Sequence, residues 1–189
     1  MAGWKVKNGA GGYIDIYDDG HNSTKSYGHF DRQSPGGGPS HQLDLGCLVK
    51  GQQYKFTAKI KLFDQINGDA PFACKKNVPW GDPALCPIFA IDVINKDGQG
   101  ENAGNFNNLD PSSWDANGFN DYVAYFTVDD VLATAKEAHV IIKGLRTGIA
   151  MLFDDVVIES YDPPEFDCDK MIPNGDFEVS KCVLFKSYF

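Results

Sequence analysis

The sequence predicts an all-β fold, an antiparallel β-sandwich, from three observations. Hydrophobic residues alternate with polar ones in most segments, as in strands that bury one face. Short turns rich in glycine, proline, asparagine and aspartate separate these segments. Only residues 128–138, VDDVLATAKEA, have helical spacing, and they would form three turns at most. Jelly-roll and immunoglobulin topologies both suit this pattern.

The predicted strands follow one another along the chain, and the clearest lies at residues 54–62. In this run Tyr54, Phe56, Ala58, Ile60 and Leu62 alternate with lysine and threonine, so one face is buried and the other faces water. The further predicted strands are GYIDIYDD with Ile14 and Ile16 inward, HQLDLG, PIFAIDVINK with Phe89, Ile91 and Val93 inward, DYVAYFTV, AHVIIKGL and GIAMLFDDVVIES.

Residues 97–121 lack such alternation and are more numerous than a connection needs. Long segments of this kind are usually functional or disordered, so we interpret this one as a loop that walls a cleft. The proline pair in YDPPEFD indicates a linker. We therefore predict one domain at residues 1–162, followed by a segment at 163–189.

The composition is that of a globular protein, with 42% hydrophobic and 23% charged residues among 189. The net charge of −9 argues against nucleic acid and acidic membranes as partners, since both attract basic surfaces. No run of 18 apolar residues occurs, so no membrane insertion is expected. A neutral ligand or a cation remains compatible with this charge.

Five cysteines allow a partial disulfide framework. Cys74 and Cys86 bracket a loop rich in proline and glycine and are candidates for one bond; Cys168 and Cys182 bracket the C-terminal segment and are candidates for another. Cys47 would then be left over. The alternative is five reduced thiols in a cytosolic protein. No C-x-x-C pair occurs, which argues against a zinc ribbon or a thioredoxin site.

The adjacent carboxylates Asp154 and Asp155 are the most informative polar residues. Neighbours on a strand point to opposite faces, so the pair cannot flank one bond as glycosidase carboxylates do. One of them points inward, where a carboxylate needs hydrogen bonds or a metal. It either accepts backbone N–H groups at a bulge or binds calcium. No G-x-S-x-G or H-E-x-x-H motif occurs, and we expect no enzyme.

The segment MLFDDVVIES resembles the last strand of carbohydrate-binding modules of families four, nine and twenty-two, which are jelly-roll sandwiches with a galactose-binding-domain-like fold. The segments STKSYGHFDRQSPGGGPSHQLDL, LVKGQQYKFTAKIKL and YFTVDDVLATAKEAHVIIKGL are similar to further parts of these modules and occur in the same order. The resemblance covers residues 4–160 and implies a jelly roll.

The C-terminal segment IPNGDFE at 172–178 resembles the first strand of such a module. It either begins a neighbouring copy in a tandem array or folds back to complete this domain. The resemblance also implies a structural calcium between the first strand and the Asp-Asp strand. The matching ligands are Asp154, Asp155, Asp176 and Glu178, and Asp18 or Asp19 would assist.

The resemblance implies a secreted or cell-surface protein that binds a neutral β-glucan-like polysaccharide without catalysis, by aromatic stacking and hydrogen bonds. Arg32 stands where the modules place an arginine on the binding face; its alternative role is a buried salt bridge or turn clamp. Trp80, in the loop between Cys74 and Cys86, would stack on a sugar or plug the core. The candidate ligand contacts are Arg32, Trp80, Trp114, Phe119, Tyr122, Tyr27 and Gln42. The alternative function is an extracellular structural or adhesive repeat that binds protein partners and no sugar.

Overall fold

The computed structural model describes residues 3–7, 9–110, 112–161 and 185–186, and it confirms an all-β sandwich of two antiparallel sheets. One sheet has five strands and the other has seven. The strands are β1 (Lys5–Lys7), β2 (Tyr13–Tyr17), β3 (Ser26–Phe30), β4 (Gly38–Gln42), β5 (Gln53–Asp64), β6 (Ala70–Pro71), β7 (Ile88–Ile94), β8 (Gly100–Asn107), β9 (Asn120–Thr127), β10 (Glu137–Lys143), β11 (Ile149–Ser160) and β12 (Phe185–Lys186).

The five-stranded sheet has the order β1-β4-β10-β7-β8. The seven-stranded sheet has the order β2-β3-β11-β5-β6, with β9 on β5 and β12 on β11. The longest contact joins β5 to β11, whose register shifts between Asp154 and Val157. Most sequence-adjacent strands therefore lie in different sheets or pair with distant partners, as in a jelly roll.

The core between the sheets forms where the predicted alternation places it. Strand β5 alternates buried and half-buried side chains along its whole length, so the inward residues from Tyr54 to Leu62 are confirmed. The rings of Phe56 and Phe89 stack across the two sheets with centroids 4.2 Å apart. In the edge strand β2, Ile14 packs on the core but Ile16 is exposed.

Two predicted elements differ from the structure. The long loop expected at 97–121 contains the edge strand β8. Its sequence is rich in glycine and asparagine and does not indicate a strand, because both residues are depleted in strands. The expected helix is one turn, α1 (Asp130–Ala133), capped by the Asp129 side chain on the backbone N–H of Leu132. No helix of the described residues is long and apolar enough to cross a membrane.

Cys74 and Cys86 form a disulfide with Cα atoms 4.8 Å apart, which confirms that pair. Cys47 is also disulfide-bonded, so the expectation that it would be left over is wrong. Its partner is outside the described residues, as is the predicted pair of Cys168 and Cys182. The boundary between residues 1–162 and 163–189 remains a prediction; of the second segment the structure describes only β12, which pairs with Val157 and Ile158.

Candidate functional site

The outer face of the five-stranded sheet has an apolar floor that does not belong to the core between the sheets. Ile88 and Ala90 of β7 and Ile141 of β10 point outward, away from the inward-facing Phe89 and Ile91. Their exposed fractions are nevertheless only 8%, 0% and 2%. Outward aliphatic residues are normally solvated on an open sheet face, so this face is covered or curved.

An ion pair shows that the face is concave. Lys7 of β1 and Asp92 of β7 approach with Nζ and Oδ2 3.4 Å apart. Strands β4 and β10 lie between them, and strands three positions apart in a flat sheet are roughly 14 Å apart. The two side chains meet because the sheet curves toward the solvent side. We call this concave face the trough.

Asparagine side chains line the far side of the trough, on β8. The amide of Asn102 donates to Asp92 Oδ1 over 2.8 Å, and the amide of Asn105 donates to Asn102 Oδ1 over 3.1 Å. Asn105 lies opposite Ala90 of the floor and is exposed. This rim therefore presents amide groups that both donate and accept hydrogen bonds.

The other side of the trough contains a groove of about 440 Å³ between β1, β4 and β10. Its outward-pointing lining consists of Lys5, Lys7, Ser40, Gln42 and His139. The register places Lys5 opposite Ser40 and Ser40 opposite Ile141, so the groove joins the floor directly. Gln42, one of the predicted ligand contacts, is exposed in this groove.

The two histidines beside the groove differ in environment. His41 donates from Nδ1 to the backbone oxygen of Gln42 over 2.7 Å, and its ring packs against the edge of Trp4. Burial and the nearby His139 lower the pKa of His41. His139 is half-buried, with Nε2 3.6 Å from Glu137. Each ring therefore has one nitrogen engaged within the protein.

Arg32 lies inside the protein, with an exposed fraction of 1%. Its guanidinium donates to the backbone oxygen of Gly37 and, over 2.9 Å, to His29 Nδ1. The neutral His29 in turn donates from Nε2 to the oxygen of Gly11. Burial lowers the pKa of Arg32 to about 10. Arg32 therefore clamps the turn between β3 and β4, which argues against a direct contact with a ligand.

Tyr27 and Tyr122 also lie in the core. Tyr27 stacks on Phe153 with centroids 5.5 Å apart, and burial raises its pKa. The hydroxyl of Tyr122 donates to the oxygen of Phe106 and accepts from the N–H of Phe89, both over 2.8 Å. Burial raises the pKa of Tyr122 as well. Neither ring faces solvent, which argues against stacking on a sugar.

The predicted cluster of Trp114, Phe119 and Tyr122 does not share one surface. Trp114 is half-buried against the core, and its indole N–H has no hydrogen-bond partner among the described residues. Phe119 packs on His21 at 6.0 Å between centroids and lies 5.8 Å from Lys61 Nζ. These two contacts place Phe119 beside the seven-stranded sheet, away from the trough.

Trp80 is exposed over 56% of its surface in the loop closed by Cys74 and Cys86. The loop leads into β7 next to Ile88, at one end of the trough floor. Its residues Gly81 and Asp82 line a second depression with Pro35 and Gly144, at the ends of β4 and β10. No Phe, Tyr or Trp occupies an outward position on the five described strands of this sheet. Trp80 is therefore the aromatic candidate for stacking near the trough.

The buried carboxylate predicted at the Asp pair is Asp154. Its Oδ2 accepts from the backbone N–H of His21 over 3.0 Å and from Thr24 Oγ1 over 2.9 Å, and its Oδ1 accepts from the N–H of Asp155. Asp155 has a φ of 48° at the register shift of β11 and binds His21 Nδ1 at 2.9 Å. Asp154 thus stabilises a β-bulge by accepting N–H groups, one of the two roles expected from the sequence.

The described residues do not by themselves form a calcium site. No group of three or more His, Cys, Asp or Glu side chains among them is arranged to hold a metal. Asp18 and Asp19 pair with Lys25 and Lys61. The two remaining expected ligands, Asp176 and Glu178, lie outside the described residues. Calcium therefore remains a prediction.

Sequence reasoning overlooked most of the trough. Two short runs show the alternation of a strand over only three residues, with polar residues on either side of a hydrophobic one. They are Lys5-Val6-Lys7 and Asn105-Phe106-Asn107. These signals are short, and β8 contains two glycines. The strands β1 and β8 become recognisable only in the folded protein, where neighbouring strands supply their hydrogen-bonding partners.

No protein-family model matches the chain, and no curated protein sequence matches it. Several solved structures share its fold. The CBM22-2 xylan-binding domain of Xyn10C from Paenibacillus barcinonensis is 14% identical with a TM-score of 0.58, over 85% of this chain and 92% of that one. The CBM22-1 xylan-binding domain of the same protein is 12% identical with a TM-score of 0.55, over 82% of this chain and 84% of that one.

A third similar structure is the CBM22-1 and GH10 part of xylanase 10B from Clostridium thermocellum, solved with xylohexaose. It is 15% identical with a TM-score of 0.55, over 87% of this chain but only 27% of that chain. The TM-scores show that these structures share the fold, and at such low identities they show nothing beyond the fold. The jelly roll expected from the resemblance is thereby confirmed.

Proposed function

We propose that this protein binds a polysaccharide in the trough, without catalysis. The observation that carries the proposal is the concave face itself, where an aliphatic floor of Ile88, Ala90 and Ile141 lies between lysines of β1 and asparagines of β8. The C–H faces of sugar rings pack on apolar surfaces, while convergent polar groups bind the hydroxyls.

The proposed backbone is a neutral β-linked glycan of the β-glucan or xylan kind. The xylan-binding modules that share the fold support this class, and so do the amide groups of Gln42 and Asn105, which suit uncharged hydroxyls. Trp80 would add the aromatic stacking that the strands themselves do not offer.

The proposal includes an extracellular location, where the bond between Cys74 and Cys86 persists. It also includes a structural calcium and neighbouring copies of the domain. A chelator should lower the melting temperature if calcium binds the folded state, since such ligands stabilise by mass action. An unchanged melting curve after chelation removes calcium from the proposal.

Affinity gels containing soluble xylan, mixed-linkage β-glucan or a β-mannan test the function directly. Retardation by at least one glycan is expected, and it should weaken in Asn105→Ala and Trp80→Ala. Thr127→Ala, an exposed change on the seven-stranded sheet, is the matched control and should leave retardation unchanged.

Two results would contradict the proposal. Absence of retardation by every glycan, together with self-association or capture of a protein partner, would favour the structural or adhesive repeat. Release of reducing ends from any of these glycans would instead show an enzyme.

A further inference from the structure

We infer that the glycan bound in the trough carries acidic substituents, and that the groove between β1 and β4 binds their carboxylate through Lys5, Ser40 and Gln42. This inference rests on the proposed function and specifies its substrate class. It concerns a uronic acid attached to an otherwise neutral backbone.

The Ser40 hydroxyl is the first observation. Ser40 is 4% exposed, lines the groove, and its Oγ has no hydrogen-bond partner among the described residues. A buried hydroxyl without a partner is rare and costs free energy. An acceptor atom from a ligand in the groove would supply the missing partner.

Lys5 provides the charge. It pairs in register with Ser40 on the outward side, so the Cβ atoms of the two residues are about 5 Å apart. Lys5 is exposed and forms no ion pair with any described residue, whereas Lys7 beside it is paired with Asp92. Its long side chain can move aside from the groove and return to a bound anion.

Gln42 completes a set of three donors of different kinds. It lies two residues from Ser40 on the same face of β4, opposite His139. Its amide is exposed and can donate to a carboxylate oxygen that the ammonium and the hydroxyl also contact. Charge-assisted hydrogen bonds of this type are about twice as strong as neutral ones.

The neighbouring acidic groups are already engaged. Asp92 accepts from Lys7 and Asn102, and Glu137 lies against His139. The whole protein has a net charge of −9, so a groove lined by the two lysines Lys5 and Lys7 differs in sign from the chain as a whole. The overall charge would oppose a highly acidic polymer, but it allows a neutral polysaccharide whose occasional uronates bind in this groove.

The test compares neutral xylohexaose with the same backbone bearing one glucuronic acid, by titration calorimetry at low salt. We expect the acidic oligosaccharide to bind roughly 2–5-fold more tightly, the effect of one ion pair at a partly exposed site. Raising the ionic strength should reduce this ratio. In Lys5→Gln the ratio should fall to about one.

Two variants separate binding from folding. Ser40→Ala should lower the ratio while its melting temperature stays equal or rises, because it removes an unpaired hydroxyl. Lys25→Gln removes the same charge directly before β3 of the seven-stranded sheet and should leave the ratio unchanged. A ratio that drops equally in both lysine variants would overturn the inference, since only net charge would then matter.

The remaining outcomes distinguish the two proposals. Equal binding of the neutral and acidic oligosaccharides by the wild-type protein overturns the acidic ligand and leaves the proposed function intact. Binding of neither overturns the proposed function. A sulfated oligosaccharide that binds more tightly than the uronate would overturn the assignment of a carboxylate.

Discussion

The two outer faces of the sandwich are both formed by strands with alternating side chains, but they differ in how far their outward hydrophobic side chains are exposed. On the five-stranded sheet the outward residues Ile88 and Ile141 are almost completely buried. On the seven-stranded sheet the outward rings of Tyr13 and Tyr17 remain 52% and 48% exposed, on either side of Phe30. Sheet curvature makes the difference, because a concave face covers its own floor while an open face leaves its side chains in water.

The faces also differ in how their lysines are used. On the seven-stranded sheet Lys59 pairs with Asp121 at 2.7 Å and Lys61 pairs with Asp19 at 2.9 Å. In the trough Lys7 has a partner but Lys5 has none among the described residues. Lys59 and Lys61 on the open face are therefore compensated, although Lys55 beside them has no ion pair among the described residues, and the concave face retains Lys5 as a cation for a ligand.

Placing a charge on each face should produce the largest contrast. Ile141→Asp buries a carboxylate in the trough floor and should cost about 3 kcal/mol or more in the free energy of unfolding. Tyr13→Asp makes a similar change on the open face and should cost less than about 1 kcal/mol. Urea denaturation measures both. Equal costs would show that the floor is solvated and the face is not concave.

The loss of unfolding free energy at acidic pH tests whether Arg32 is buried beside His29 or lies on the binding face. Burial first, and then the charge of Arg32, lower the pKa of His29 from 6.5 to about 4. Between these values the unfolded chain binds more protons, so the free energy of unfolding should fall as the pH decreases from 6.5 towards 4. The loss should be on the order of 3 kcal/mol.

The variant His29→Gln isolates this contribution. Its amide can still donate to Gly11 and accept from Arg32, but it does not titrate. Urea titrations at pH 7.5 and 4.5 should show a smaller acid loss in the variant than in the wild-type protein. An identical loss in the variant and the wild-type protein would show that another group titrates. It would then no longer support the burial of Arg32 beside His29.

Opening the loop that presents Trp80 should have an intermediate effect. The disulfide closes a short loop, and Cys74→Ser with Cys86→Ser should lower the free energy of unfolding by about 2–3 kcal/mol. Urea denaturation of the double variant and the wild-type protein, both without reductant, measures it, because a reductant would also break the disulfide of Cys47. Peptide mapping without reduction should recover the linked Cys74 and Cys86 peptides and identify the cysteine bonded to Cys47.

The smallest expected effect compares single polar contacts on the two faces. Asn105→Ala should weaken glycan binding about 3–10-fold, the loss of roughly one hydrogen bond. Tyr17→Ala on the open face should leave the dissociation constant within about twofold. Calorimetric titration with a glycan that retards the wild-type protein gives both values. If Tyr17→Ala had the larger effect, the ligand would bind the seven-stranded sheet.

The site shows where sequence reasoning succeeds and fails. Alternation located the inward residues of β5, and the loop composition located the bond between Cys74 and Cys86. The Asp154 and Asp155 pair is predicted to contain one inward carboxylate in need of partners, and the structure shows that it is Asp154. Arg32 was ambiguous because an arginine after a strand suits a surface site or a turn clamp equally well. The direction of its guanidinium depends on His29 and Gly37, which the chain brings together only on folding.

By itself the amino-acid sequence determined the all-β class, most strands and the residues facing the core, because each depends on spacing within a few residues. Only the tertiary structure decided that the outer face of one sheet is concave. Concavity depends on how β1, β4, β10, β7 and β8 twist against one another, and of these neighbouring strands only β7 and β8 are consecutive in sequence. For the same reason the unpaired hydroxyl of Ser40 and the cation of Lys5 became neighbours only when β1 added to β4.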